Sequence, residues 1–335
     1  MNIPRIFDED LVKIPPLLEF LAAKSDKTTV IPSKKITDID DGPELDSPRL
    51  IELVEKLRDI PTLSVVVQKV MELVNNPRTS APQIADVLKR DQVLTAKVLR
   101  LVNSSFYNLS TEVTDVSKAL GFLGFNSVSM LVLGTSVFSS FDIAAADYFN
   151  VREFWKHSLA TAIAAELIAK KTKRGKPEEA FTCGLLHDMG KIALFKISPR
   201  DLKAAVERAA EKNISLLEAE SELGLPGHSV LGERLAEKWQ LPVVIRKVIR
   251  FHHRDIEPLE SIYPQMRPMI MMTTLANILS KRLELGKSGD TLKPEYPANY
   301  MKALGIDTEG LQEIEKQMET EMERAQGFLS ASMTR

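Results

Sequence analysis

The sequence predicts an all-α fold, a two-part helical bundle, on three observations. From about Leu50 onward, apolar residues recur every three or four positions. Leu, Ala, Lys and Glu are plentiful while aromatic residues make up only 6% of the chain, a composition of helices rather than β-sandwiches. No segment alternates apolar and polar residues between hairpin turns. At 335 residues and 44% hydrophobic, the chain has the material for a sizeable core.

Residues 8–23 place Leu11, Ile14, Leu17, Leu18 and Leu21 on one helical side, and a polar, turn-rich stretch follows. Residues 1–49 therefore read as an N-terminal helix and linker. In the next block, Ser80 with Pro82 and Gln83 forms a capping box ahead of Ile84, Val87 and Leu88. "DQVLTAKVLRLVNSS" continues the helical spacing, and "STEVTDVSKALGFLGFNSVSMLVL" reads as two short helices broken at Gly121 and Gly124. A second block opens near Val151 with "EFWKHSLATAIAAELIAKK". Pro177 then starts a helix that carries His187 and Asp188. "GHSVLGERLAEKW", "PVVIRKVIRFHHRD" and "MIMMTTLANILSKRL" supply three more helices. We divide the body, 50–290, into a helical part at 50–147 and a second part at 148–290. An extension at 291–335 puts Leu311, Ile314, Met318, Met322, Ala325 and Leu329 on one stripe, to pack on the body or on a second copy of the chain.

Charge and cysteine content exclude several classes. A net charge of -2 provides no positive field for nucleic acid phosphates. Cys183, the single cysteine, allows no intramolecular disulfide, fits a reducing compartment and reads as a core filler. The start "MNIPRIFDED" lacks the basic and apolar runs of a secretory signal. The apolar stretch at 128–138 is too short to span a bilayer. The expectation is a cytoplasmic protein that engages neither membrane nor nucleic acid.

The five histidines, His157, His187, His228, His252 and His253, all fall between 151 and 255, each on a predicted helix or at its end. Imidazole is the commonest transition-metal ligand, and helices facing one another are how bundles assemble metal centres. Glu153 and His157, four residues apart, share a helix face. His187 and Asp188, about 100° apart on a helix, reach one ion only if it sits between their directions. Each has a plainer explanation. Glu153 suits a first-turn acid, His228 a helix cap, and His252 and His253 the negative end of a helix. His187 and Asp188 could bond only to each other, but their apolar flanks make an unpartnered pair expensive. The basic loop "KKTKRGK" lies about 20 Å along the helix from His157 and reads as solvated.

At this point the chain resembles a known family. "GLLHDMGK" looks like the signature of HD-superfamily metal-dependent phosphohydrolases. "IPTLSVVVQKVMELVNNPRTSAPQIADVLKRDQVLTAKVLRLVNSSFYN" and "GHSVLGERLAEKWQLPVVIRKVIRFHH" are similar to the two parts of the HDOD domain, an HD-related bacterial signalling module, over roughly residues 55–285. The resemblance implies a ligand-free first half and a metal-binding second half. Carried over from the related HD-GYP phosphodiesterases, it implies Glu153, His157, His187 and Asp188 as ligands, with Asp188 bridging. His228, His252 and His253 would serve a second metal, and Lys191 would meet a bound phosphate. Two departures stand out. Asn277 occupies the slot of a final aspartate ligand, and "HHRDIEPLES" replaces the segment containing Gly-Tyr-Pro.

The expectation is a bacterial regulatory module acting by protein or small-ligand binding, its HD-like cleft able to hold metal without turnover. Its cofactor would be one or two divalent transition-metal ions (Fe, Mn, Zn or Ni). Its partners would be signalling proteins, with a nucleotide second messenger and a homodimer as further options. The alternative is a metal-dependent phosphodiesterase acting on a cyclic dinucleotide or nucleotide, with Asp188 and Lys191 as catalytic residues.

Overall fold

The computed structural model describes residues 47–333 apart from 75, 77, 105, 106, 108, 110, 142–145 and 255–262. The chain divides at Asp40 into two units, and the described residues belong to the second. The expected helix at 8–23 and the "DIEPLES" stretch thus lie outside the described residues, as does the Leu329 side chain. Every regular element described is helical, apart from one isolated bridge between Ala146 and Phe149.

The first helices are α1 (Pro48–Lys56), α2 (Val65–Val74), α3 (Ala81–Leu88), α4 (Gln92–Val102) and α5 (Val116–Ser140). Their starts follow the expected chemistry. Ser47 caps α1, Asp91 caps α4, and Asp115 accepts from the Ser117 and Lys118 amides to cap α5. At α3, Gln83 Oε1 accepts the Ser80 amide at 2.8 Å, completing the capping box. Helices α2, α3 and α4 pack around α5, burying Val67, Val70, Ile84, Leu88, Val98, Leu101, Val128 and Val132.

The sequence reading of two short helices around Gly121 and Gly124 is half right. Gly121 stays helical, whereas Gly124 leaves the helix at φ 79°, ψ 160°, and kinks an otherwise continuous α5. A φ in that region strains any residue with a Cβ. Val116–Val137 is long and apolar enough to cross a membrane, longer than the 128–138 stretch suggests. Half of its most apolar window is buried inside the fold, where it forms the core of the first bundle.

The second half comprises α6 (Val151–Thr172), α7 (Pro177–Leu186), α8 (Met189–Ile197), α9 (Pro199–Lys212), α10 (Leu216–Glu222), α11 (His228–Lys238), α12 (Val243–Phe251) and α13 (Arg267–Arg282). Helix α6 lies along α7 and α13 and is buried nearly all round from Phe154 to Ala165. Small residues permit this closeness. A Cβ on Gly184 would fall 2.6 Å from the Thr161 carbonyl oxygen of α6. Cys183, fully buried beside it, is the core filler the sequence suggests. After α14 (Ala298–Leu304), the long α15 (Thr308–Met333) returns across α6, α4 and α5. Its Leu311, Ile314, Met318, Met322 and Ala325 are buried, so the stripe packs on the body.

Residues 48–61 precede the first bundle in sequence yet dock on the second half, against α8 and α11. Lys238 holds them: its ammonium donates to the carbonyls of Leu57 at 2.8 Å, Arg58 at 2.9 Å and Ile60 at 2.5 Å. Trp239 Nε1–H donates to the Pro61 carbonyl at 2.9 Å, and Arg49 pairs with Asp201 on α9. A cation on the free carbonyls of a helix end is favoured twice, by hydrogen bonding and by the helix dipole. Lys238→Met, which keeps the apolar stem, is expected to cost about 1–2 kcal/mol. A lowered urea midpoint with unchanged slope would register this, and an unchanged midpoint would remove Lys238 from the junction.

Candidate metal centre

Helix α7 stops at Leu186 because the backbone turns at Asp188 (φ -99°, ψ 12°) before α8 begins. His187 and Asp188 therefore sit at a break between two helices, not within one as the sequence reading assumed. The break frees the two side chains from the 100° divergence of helical neighbours. The same occurs at His252 and His253, which follow the end of α12 at Phe251.

Asp188 is the hub and is fully buried. Its Oδ2 lies 3.2 Å from His187 Nε2 and 3.8 Å from His157 Nε2. Its Oδ1 lies 3.4 Å from both His228 Nε2 and His252 Nε2. His228 Nε2 and His253 Nε2 are 3.0 Å apart. Two ligand sets share the carboxylate: His157, His187 and Asp188 on one side, Asp188, His228, His252 and His253 on the other. Donor atoms holding one tetrahedral ion at about 2.1 Å lie about 3.4 Å from one another. The observed separations are of that size.

The outer faces of the rings are fixed. His187 Nδ1–H donates to the Gly184 carbonyl at 2.7 Å, and His252 Nδ1–H to the Ile249 carbonyl at 2.9 Å. Both leave Nε2 as a bare lone pair facing inward. Nε2 of His157, His187 and His252, with Oδ1 of Asp188, are buried and accept no hydrogen bond. So many orphaned acceptors at one point would be costly without a cation, and the donor set suits a divalent transition metal.

Burial favours the neutral, ligating form at His157, His252 and His253, whereas the Glu220 carboxylate beside His228 raises that ring against its burial. Burial, then the neighbouring His187, push His157 well below the ordinary histidine range. Burial pushes His252 down to about 4 against the opposing charge of Asp188. Burial, His252 and His228 lower His253. Burial opposes the Asp188 charge, yet the neighbouring His187 and the Lys191 ammonium hold its carboxyl well below the carboxylate range. Lys191, fully buried, donates to Asp188 Oδ2 at 2.7 Å.

Two expected residues stand apart. Glu153 is half-buried and outside both ligand sets. It lines a cleft of about 630 Å³ whose walls include His157, Lys281 and the segment Gly286–Lys293. Asn277 is buried, on α13, with its amide oxygen unpartnered. The exposed loop "KKTKRGK" lies outside the cluster.

Sequence reasoning missed the residues that draw the elements together. Gly190 touches α11 so closely that a Cβ would sit 1.7 Å from the His228 carbonyl oxygen. Gly286 (φ +85°) does the same over α6, 2.3 Å from the His157 amide nitrogen, where the Lys287 amide donates to the Glu153 carbonyl at 3.0 Å. Asp290 anchors that segment by accepting from Lys281 at 2.8 and 2.9 Å and from the Leu216 amide at 3.2 Å. The glycines of "GLLHDMGK" were visible, but the helices they would meet were not.

A helical bundle that gathers a buried His-Asp pair with four further imidazoles defines an HD-like domain. Residues 60–255 match the HDOD domain, and the chain belongs to that family. An uncharacterized protein of Treponema pallidum (strain Nichols) is 25% identical over 283 residues, covering 84% of this chain and 52% of that one. The chain thus spans about half the length of that relative. The crystal structure of an HDOD domain protein with unknown function from Geobacter sulfurreducens is 25% identical, with a TM-score of 0.65, covering 85% of this chain and 98% of its own. A protein from Shewanella amazonensis SB2B, provisionally named a phosphohydrolase, is 24% identical with a TM-score of 0.62, covering 84% of this chain and 98% of its own. That last likeness shows the fold alone.

Proposed function

We propose that this protein is a regulatory module whose HD-like half holds two divalent transition-metal ions in a buried, non-catalytic centre. Its output passes through binding to signalling proteins. One observation carries the reading: each oxygen of the buried Asp188 faces its own set of inward imidazole nitrogens. His157, His187 and Asp188 would hold one ion, and Asp188, His228, His252 and His253 the other. Such ions supply Lewis acidity and can activate water, but three features favour a structural or sensory role. Lys191, the group suited to a substrate phosphate, is spent on Asp188 in a site without exposure. Asn277 brings an oxygen but no negative charge. The large cleft touches His157 alone among the clustered histidines.

The same cleft supports a second reading, a metal-dependent phosphohydrolase acting on a nucleotide or cyclic dinucleotide that enters beside His157. Metal analysis of protein purified without chelators, followed by assay against cyclic di-GMP and nucleoside phosphates, separates the two. Two ions per chain without turnover is the expected result. Turnover lost in Asp188→Ala would establish the hydrolase, and protein without bound metal would overturn both.

A further inference from the structure

Helix α10 ends one residue short of a reversal at Leu223–Gly227 that returns the chain as α11, with His228 as the first helical residue. Gly227, at the capping position, has no side chain to satisfy the free amides of that helix start. Glu220 reaches across instead. Its Oε2 accepts the His228 backbone N–H at 2.9 Å and stands 2.8 Å from His228 Nδ1. The carboxylate is fully buried, and its other oxygen, Oε1, has no hydrogen-bond partner. The Glu220 carbonyl also accepts the Leu225 amide at 2.9 Å, which ties the reversal to the same residue.

Two other inward rings lean on backbone carbonyls, His187 on Gly184 and His252 on Ile249. His228 leans on a full negative charge. A carboxylate behind a ligating histidine fixes its tautomer and raises its basicity, and removing such a partner typically weakens metal binding about 10–100-fold. The difference matters here because Asp188 is the sole carboxylate in either ligand set. The geometry points to Glu220 as the positioning residue of the second ion site: it locks His228 as the Nδ1–H tautomer, aims Nε2 at Asp188 and returns negative charge to the site through the ring. The inference rests on the two-ion reading for its metal consequences, and on the hydrogen bond alone for the tautomer.

The test has two arms on the full chain. In the first, the two nitrogens of His228 are read by long-range proton–nitrogen NMR of ¹⁵N-histidine-labelled apoprotein, assigned with His228→Gln. The expected result is Nδ1–H at His228 in the wild type, whereas an Nε2–H His228 overturns the inference whether or not the protein binds metal. In the second, Co²⁺ is titrated into wild type and Glu220→Gln, followed by visible absorption. Glu220→Gln keeps the side-chain length and an amide oxygen for the two N–H groups. It is expected to weaken one of two Co²⁺ sites about 10–100-fold and leave the other unchanged. Equal weakening of both sites, or of neither, would reduce Glu220 to a helix cap. Wild type that binds no Co²⁺ would defeat the metal reading, and the tautomer would still decide the role of Glu220.

Discussion

Asp188→Ala is expected to abolish both ion sites at once and to lower stability by about 3–5 kcal/mol. The two effects have separate causes. The carboxylate is the only group common to both ligand sets, so neither set keeps an anionic donor without it. Lys191 is fully buried with its ammonium 2.7 Å from Asp188 Oδ2, so the truncation strands a desolvated cation. Asp188→Asn separates them. It keeps an oxygen acceptor for Lys191 and should recover much of the stability while still failing to hold two ions. Elemental analysis and urea denaturation of the three proteins provide the measurements. Wild-type ion content in Asp188→Ala would place any metal elsewhere in the molecule.

Gly190→Ala, a change of one methyl group, is expected to destabilise by about 3 kcal/mol. The added carbon would meet the His228 carbonyl oxygen at 1.7 Å, its carbonyl carbon at 2.7 Å and the Gly232 amide nitrogen at 2.8 Å. All three are backbone atoms, which cannot turn aside as a side chain can. Helices α8 and α11 must separate, and His228 moves with α11 away from Asp188. The variant should therefore lose affinity at the His228 site as well as stability. Gly121→Ala is the control. Gly121 is exposed and helical, with open space where its Cβ would lie, so alanine there should be neutral or stabilise slightly. Equal stability of the two variants would refute the close approach of α8 and α11.

The two predictions mark where reading the chain alone succeeded and where it stopped. Asp188 announced itself, because an acid beside a histidine among apolar neighbours needs a partner. Gly190 did not, because a glycine in a helix looks alike whether it faces solvent or another backbone. Glu220 was passed over for a similar reason. It sits in "LLEAESE" among exposed acids, and only the reversal after α10 turns it inward against His228. The family resemblance implied a bridging Asp188, but which of its oxygens meets which imidazole was unreadable, since that depends on the break at residue 188. Lys191 was singled out for a bound phosphate by that resemblance, not by the residues around it, and its place on the Asp188 carboxylate is visible only in the fold.

By itself the sequence determined the helical class, most helix starts, the inward stripe of the last helix and the clustering of histidines along the chain. These follow from periodicity and from side chains that cap or face a helix within a few residues of themselves. Tertiary structure alone decided that the five imidazoles and one carboxylate meet, that Glu153 lines a cleft shared with His157, and that Lys238 clasps a segment 180 residues earlier. Those outcomes depend on how closely backbones approach. Glycines at helix crossings set that distance, and their effect exists only once both helices are in place.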